Sequence, residues 1–134
     1  MRVALDTNVL VAAVATRGLC ADVVNLVLAE HELILGETVL TELKRVLRKK
    51  VRVPAVVIDE FDTLLRRESR VVQKAKAVVV AIRDKSDVPV LSEAIAGKAE
   101  ILITGDRDLL GITEPLALQI LTPRAWWEQL RQDG

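Results

Sequence analysis

The sequence contains almost none of the residues on which several common kinds of site depend. Its 134 residues include one cysteine, Cys20, and one histidine, His31. A structural zinc site needs about four Cys or His ligands, so zinc fingers and ribbons are excluded. A disulfide framework is excluded as well. A Ser-His-Asp triad would have to use His31, between a predicted helix and a predicted strand, and we expect a structural or surface role for it instead.

Aromatic residues, long apolar runs and net charge are also scarce. The chain has no tyrosine, one phenylalanine and two tryptophans, so stacking of unpaired bases on aromatic rings is a poor source of recognition. No run of about eighteen uncharged apolar residues occurs, so no transmembrane helix is expected. Asp6 interrupts the N-terminal apolar segment, which does not fit a signal peptide, and we expect a cytoplasmic protein. The 19 basic and 19 acidic side chains cancel, so no global field attracts a polyanion.

Apolar residues are abundant, at 51% of the chain, and they follow two alternating patterns. Helical stripes are separated by short apolar runs that are typical of strands buried on both faces. Strands alternating with helices imply parallel pairing with right-handed crossovers. The sequence therefore predicts a single domain over residues 1–134, with an α/β fold: a three-layer α/β/α sandwich around a central parallel sheet of about five strands. The predicted strands are residues 3–5, 33–35, 77–82, 101–104 and 118–121.

Several residues are predicted to begin or end helices. Pro54 is placed to begin a helix with a stripe that includes Val57. Gly97 is placed to end another helix in the left-handed conformation. Thr122 and Pro123 have the pattern of an N-cap and a first helical residue for the last helix.

Acidic residues follow three of the predicted strands. Asp6 follows the first strand, Asp84 and Asp87 follow the third, and Asp106 and Asp108 follow the fourth. The carboxyl ends of parallel strands meet at one edge of a sheet, where α/β proteins form their active sites. We therefore expect these carboxylates to lie near one another.

A metal ion is the expected reason for such a cluster. Glu42 falls at the border of the apolar stripe of its helix, from which it can reach inward. Two carboxylates at ~5 Å repel by about 3 kcal/mol at an effective dielectric of 20, unless a pKa rises or a cation binds. Oxygen ligands without Cys or His favour Mg²⁺ or Mn²⁺. Thr7, Asn8 and Thr104 supply neutral groups that can orient Asp6.

A simpler interpretation remains open for individual acids. Asp87 and Asp106 each precede helical residues, where an aspartate often serves only as an N-cap. A phosphatase of the haloacid dehalogenase kind also has an aspartate after its first strand, but it needs a second one where this chain has Asn8. No Gly-rich turn follows the first strand, which argues against a dinucleotide-binding site.

Four stretches in this order resemble a known family: "LDTNVLVAA", "LTELKRVL", "DKSDVPVLSEAIAGKAEILITGD" and "RDLL". Together they resemble the PIN domain, in particular the VapC-like toxins of bacterial toxin–antitoxin pairs. The resemblance runs from Met1 to the "LTPRAWWEQL" tail. It implies a compact α/β/α fold and metal-dependent cleavage of single-stranded RNA.

The resemblance also assigns roles to particular residues. It places the four family acids at Asp6, Glu42, Asp87 and Asp106, which would be catalytic and would bind Mg²⁺ or Mn²⁺. Asp108 would be a further metal ligand. Thr7, Asn8, Asp84 and Thr104 would support the site. A cognate antitoxin is the implied protein partner.

Basic residues near Glu42 are the candidates for binding RNA. The run that contains Arg45, Arg48 and Lys49 can give salt-dependent, sequence-tolerant contacts to phosphates, although a solvated helix face has the same pattern. The apolar composition and the tryptophan pair suggest a homodimer or higher oligomer. The alternative to an enzyme is a non-catalytic PIN-fold module that binds RNA or protein.

Overall fold

The computed structural model describes residues 1–73 and 75–133, and its centre is a five-stranded, all-parallel sheet. The strand order is β3-β2-β1-β4-β5. The chain moves outward from β1 to β3 on one side and then returns to place β4 against β1 on the other. The strands are β1 (Arg2–Leu5), β2 (Glu32–Gly36), β3 (Ser69–Val72), β4 (Ile101–Ile103) and β5 (Gln119–Leu121).

In residues 1–73 and 75–133, seven α-helices and one π-helical turn connect or follow the strands. The π-helical turn, Leu47–Val51, continues directly from α3 and ends at Arg52, whose φ is 60°. The helices are α1 (Thr7–Ala15), α2 (Leu19–Glu30), α3 (Glu37–Val46), α4 (Ala55–Glu68), α5 (Asp87–Ala96), α6 (Arg107–Leu110) and α7 (Pro123–Asp133).

Each central strand contributes to two apolar cores because successive side chains point to opposite faces of the sheet. In β1, Val3 and Leu5 belong to the larger core with α1 to α4 and the fully buried Trp126 of α7. Ala4 belongs to the second core, where Leu91 of α5 covers the other face. This arrangement confirms the predicted α/β/α sandwich with a central parallel sheet.

One predicted strand is wrong. Residues 77–82 form no strand, and the third strand is Ser69–Val72, which pairs with β2. The apolar run at 77–82 is irregular and lies outside the sheet: Val79 is 99% exposed, the Val78 amide donates to the Ser92 hydroxyl, and the Ala81 amide donates to Glu114. β3 was missed because it begins at the residue after α4 and is partly exposed. In sequence it therefore looks like a continuation of that helix. Asp84 and Asp87 therefore follow an irregular segment rather than a strand.

The helix ends agree with the sequence except in detail. The Thr122 hydroxyl caps α7 by accepting from the Ala125 amide, as predicted. Gly97 ends α5 but keeps a right-handed φ of −76°, and Lys98 takes the left-handed conformation instead. Glycine is needed at 97 for space, because a Cβ there would lie 2.5 Å from Ile34 Cγ2. Pro54 is the residue before α4, as its predicted place at the start of the helix requires. The prediction that Val57 belongs to the buried stripe of this helix is wrong, because Val57 is exposed.

Within the described residues, no single helix is both long and apolar enough to cross a membrane; α1 and α2 reach that length and hydropathy only as a pair bent by 110°.

The strand order reverses around β1. In such sheets a crevice forms outside the carboxyl ends of the two strands that flank the reversal. Here those strands are β1 and β4, which pair directly, and the Asp6 amide extends their ladder by donating to the Ile103 carbonyl at 3.0 Å. The residues that leave β1 and β4 are therefore brought together at one edge of the sheet.

Candidate functional site

Asp6 lies at the centre of this edge, in the turn between β1 and α1. It is buried and acts as the N-cap of α1, with Oδ1 accepting from the Thr7 amide at 2.7 Å. Oδ2 accepts from the Thr104 hydroxyl at 2.7 Å and from Asn8 Nδ2 at 3.3 Å. Both oxygens are thus held in fixed positions by neighbouring donors, and each keeps acceptor capacity for another ligand.

The side chains of Thr104 and Asn8 form hydrogen bonds that link the residues after β1 to the residues after β4. Thr104 is fully buried, and its hydroxyl accepts from the Asp106 amide at 3.0 Å while it donates to Asp6. Asn8 Oδ1 accepts from the Gly105 amide at 3.1 Å. Two successive amides in the turn after β4, those of Gly105 and Asp106, are therefore hydrogen-bonded to side chains that also bind Asp6. These bonds fix the turn relative to Asp6.

Asp87 opens α5 and is buried. Ser86, not Asp87, occupies the N-cap position, so the capping interpretation does not hold for Asp87. Its Oδ2 is a buried oxygen that receives no hydrogen bond from the residues in the described part of the chain. Burial, followed by the nearby carboxylates of Asp106 and Asp84, raises the pKa of Asp87 to about 7. A buried carboxylate with an unsatisfied oxygen among other acids is costly without a cation.

Asp106 does cap a helix, as the simpler interpretation proposed. Its Oδ1 accepts from the amides of Asp108 and Leu109 at 2.8 and 3.4 Å. These bonds fix the carboxylate at the start of the short helix α6 and leave Oδ2 available. Capping and a role in the site are therefore compatible for this residue.

Asp84 and Asp108 approach Asp87 from two sides. One oxygen from each of the three carboxylates lies within 4.8 Å of the others. Asp84 is exposed and accepts from the Ser86 amide and hydroxyl, and the hydroxyl bond, with the amide bond second, lowers the pKa of Asp84. Asp108 forms an ion pair with Arg83 at 3.3 Å.

Glu42 approaches the same edge from α3. Its side chain is 46% exposed and pairs with Arg45 NH2 at 3.2 Å. Burial raises the pKa of Asp6, the hydrogen bonds from Thr104 and Thr7 oppose that shift, and the charges of Asp106 and Glu42 add to it. Glu42 thus contributes to the negative potential at Asp6 from the solvent side.

These residues surround an open cleft of about 400 Å³, which we call the acidic cleft. Its donors are hard oxygens, which suits Mg²⁺ or Mn²⁺ and not softer metals. Asp87 Oδ2, which receives no hydrogen bond from the described residues, could act as a ligand for such an ion. The polar residues lining the cleft are Asp6, Thr7, Asn8, Glu42, Asp84, Ser86, Asp87 and Asp106.

The structure brings together most, but not all, of the residues named from the sequence. The four acids assigned by resemblance line the acidic cleft, whereas Thr104 lies behind Asp6. In the described part of the chain, the only three carboxylates that meet within 4.8 Å are those of Asp84, Asp87 and Asp108. The basic residues Arg45, Arg48 and Lys49 are exposed beside the cleft, on α3 and the π-helical turn.

Three residues that support this region were not identified from the sequence. Ser86 binds Asp84 and Arg83 binds Asp108. The Asp-Lys-Ser spacing at 84–86 is the signature of an Asx turn and could have revealed the first contact. Glu93 is buried and accepts from the amide and hydroxyl of Thr38 in the first turn of α3. That contact joins residues 55 positions apart, for which the sequence has no local signal.

Comparisons with known proteins agree with this architecture. A family model described as PIN domain matches residues 2–108. A chain in the crystal structure of VapBC2 from Rickettsia felis, bound to a DNA fragment from their promoter, has a similar fold. The TM-score is 0.62 at 18% identity, and the match covers 90% of this chain and 97% of that chain. No curated protein sequence gives a match.

Proposed function

Since the chain belongs to the PIN domain family, we propose that it is a metal-dependent endoribonuclease that hydrolyses phosphodiester bonds of single-stranded RNA. We further propose that the 134 residues form one PIN domain that acts as the toxin of a toxin–antitoxin pair. The similarity in fold to a chain of VapBC2 supports this context. A cognate antitoxin, a homodimeric or higher assembly and a cytoplasmic location belong to the same proposal.

The observation that supports a metal-dependent enzyme most strongly is the state of Asp87. Its carboxylate is buried, lies among other acids and has an oxygen without a hydrogen bond from the described residues. A solvated surface charge would have none of these three properties, and a helix cap would have its oxygens hydrogen-bonded to backbone amides. A divalent cation explains all of them, because it satisfies the oxygen and neutralises the repulsion.

The acids of the cleft have distinct tasks in this proposal. Asp6, Glu42, Asp87 and Asp106 hold Mg²⁺ or Mn²⁺, with Asp84 and Asp108 as further acids on the Asp87 side. Bound there, the ion would activate water for attack on phosphorus and stabilise the leaving oxygen. The chain itself fixes the donors beforehand: the Thr7 amide, Asn8 and Thr104 orient Asp6.

The open side of the acidic cleft determines which substrates can reach its carboxylates. The cleft is open to solvent along the side that Glu42 borders, and the Glu42 side chain is 46% exposed. A flexible single strand can place one phosphodiester against the carboxylates from this side, while its bases remain outside. The scarcity of aromatic residues is consistent with binding through the backbone rather than through stacked bases.

The test is cleavage of end-labelled single-stranded RNA by the purified protein. We expect cleavage in Mn²⁺ or Mg²⁺, none in EDTA, and none with Asp6→Asn in the presence of metal. Asp22→Asn is the matched control, because Asp22 is an exposed aspartate in the first turn of α2. Cleavage that persists in EDTA or in Asp6→Asn would contradict the proposal. Mn²⁺ binding without cleavage of any RNA would favour the non-catalytic module.

A further inference from the structure

A second cleft lies beside the acidic one, between α3 and α4. Its volume is about 420 Å³, and four of its lining residues are basic. We call it the basic cleft. It is lined by Thr41, Lys44, Arg45, Arg48, Ala55, Ile58, Asp59 and Arg66.

The four cations of the basic cleft are not equivalent. Arg66 is neutralised by a two-point ion pair with Glu37 and by Asp62, and Lys44 lies 3.8 Å from the same Asp62. Arg45 pairs with Glu42. Arg48 differs from the others: among residues 1–73 and 75–133, no carboxylate lies within 4.0 Å of its guanidinium. Arg48 is therefore the cation of this cleft that lacks an internal counterion.

A groove of about 530 Å³ joins the two clefts. It shares Glu42 with the acidic cleft and shares Thr41 and Arg45 with the basic cleft. Two further carboxylates line it, Glu37, which Arg66 neutralises, and Glu93, which accepts from the amide and hydroxyl of Thr38. The lining residues thus form a continuous surface track along α3. The track extends roughly 9 Å along the helix axis from Glu42 to Arg48, at about 1.5 Å per residue. A small anion would occupy only one end of such a track, whereas a polymer with repeated negative charges can occupy both.

The backbone at Arg48 is also unusual. Arg48 lies in the π-helical turn that follows α3, and this turn closes with the Val53 amide donating to the Leu47 carbonyl at 2.9 Å. π-Helical turns are rare and occur often at functional sites. Leu47 is buried in the main core, so the turn that carries Arg48 is anchored to the protein interior.

We infer that the basic cleft is a phosphate-binding subsite for the same RNA strand whose scissile phosphodiester lies in the acidic cleft, and that Arg48 is its principal ligand. This inference rests on the proposed function, which it extends from the reacting phosphate to a neighbouring one along the strand. Arg45 lies between the two sites, and its guanidinium would become available to RNA if Glu42 bound a metal ion instead of Arg45.

The test compares Arg48→Glu with wild type, and uses Arg124→Glu as the matched control. Arg124 is an exposed arginine on α7, and its ion pair with Glu128 is long, at 4.0 Å. Binding of a fluorescent single-stranded RNA is measured in EDTA over a range of salt concentrations. We expect Arg48→Glu to weaken binding about tenfold and to reduce the salt slope by about 0.7, the value for one phosphate contact on a single strand. Calorimetric affinity for Mn²⁺ should not change in either variant.

The outcomes separate this inference from the proposed function. If wild type cleaves RNA while Arg48→Glu retains its affinity and salt slope, the subsite is wrong and the nuclease stands. If wild type binds RNA through Arg48 but cleaves none in Mn²⁺, the subsite stands and the nuclease is wrong. A deoxy oligonucleotide of the same sequence that binds more tightly than the RNA would overturn RNA as the ligand.

Discussion

The acidic cleft and the face between α3 and α4 both carry several carboxylates, but the surroundings of these carboxylates differ. On the α3–α4 face, Glu37 and Asp62 share the guanidinium of Arg66, whose hydrogen bond lowers the pKa of Glu37. In the acidic cleft, Asp6 and Asp87 are buried among other acids, and the pKa of each is raised. Glu37 and Asp62 are neutralised by a cation of the protein itself, whereas no cationic side chain of the described residues pairs with Asp6 or Asp87.

This difference shows how to distinguish a structural charge cluster from a functional one. An ion-paired surface network supplies its own counterions, and each exposed pair contributes little to stability. A cluster of like charges is maintained at a cost to stability, so it needs either raised pKa values or a cation from outside. The four predictions that follow test whether the two regions differ in this way.

The largest effect is expected from Asp87→Asn on catalysis. Replacing the buried carboxylate removes a metal ligand and should reduce Mn²⁺-dependent RNA cleavage by about 100-fold or more. On the α3–α4 face, Asp62→Asn should leave the rate within a few-fold of wild type. Initial rates of cleavage at saturating Mn²⁺ make the comparison. A similar loss in both variants would mean that the two regions are not functionally distinct.

A smaller effect is expected from Thr104→Val. The change keeps the shape of the side chain but removes the hydroxyl that donates to Asp6 and accepts from the Asp106 amide. Affinity for Mn²⁺ should fall about tenfold, the lower end of the range for residues that orient metal ligands. Thr104→Ser keeps the hydroxyl and should bind Mn²⁺ like wild type. Equal affinity in the valine and serine variants would show that Thr104 does not position Asp6.

The dependence of stability on pH should identify the raised pKa of Asp87 in the metal-free protein. Between its ordinary value of 3.8 and about 7, folded Asp87 binds more protons than the unfolded chain does. The free energy of unfolding therefore falls as the pH rises through this range, by about 1–2 kcal/mol from this residue.

Asp87→Asn removes this contribution, so the variant should become the more stable protein as the pH rises towards 8. His31, whose pKa is lowered by burial, gives the opposite slope in both proteins and cancels in the comparison. Urea unfolding at a series of pH values in EDTA measures the difference. Parallel curves for the two proteins would contradict the account of Asp87.

The smallest effect is expected on the α3–α4 face. Arg66→Gln breaks the pairs with Glu37 and Asp62, but all of these groups are partly exposed, so the loss should be about 1 kcal/mol or less. High salt should reduce the difference from wild type. Arg67→Gln is the control, since Arg67 is 68% exposed and its one ion pair with a described residue is with its neighbour Glu68. Chemical unfolding at low and high salt tests both variants.

Much of the fold was predictable because burial on both faces gives short apolar runs. β1, β2 and β4 supply the middle of the sheet, and the sequence identified each of them to within one or two residues. The exception is instructive: the apolar run at 77–82 has a stronger strand pattern than Ser69–Val72, yet only the latter pairs with β2. The sequence alone does not show which of the two neighbouring segments pairs with β2 to become the edge strand of the sheet.

The acidic cleft was likewise predictable where its residues directly follow a strand, and not where they follow an irregular segment. Asp6 and Asp106 were expected together because their strands end at one sheet edge, and the pairing of β1 with β4 places them there. The convergence of Asp84, Asp87 and Asp108 depends on the path of the irregular segment before α5. Ion pairs such as Arg66 with Glu37 join residues 29 positions apart and have no signature in local sequence.

The most direct test of the central claim is a calorimetric titration of the metal-free protein with Mn²⁺, at a pH above the pKa of Asp87. The account predicts saturable binding by wild type that is lost or strongly weakened in both Asp6→Asn and Asp87→Asn, and is retained in Asp22→Asn. Absence of binding by a folded wild-type protein, or equal binding by all four proteins, would mean that the acidic cleft is not a metal centre.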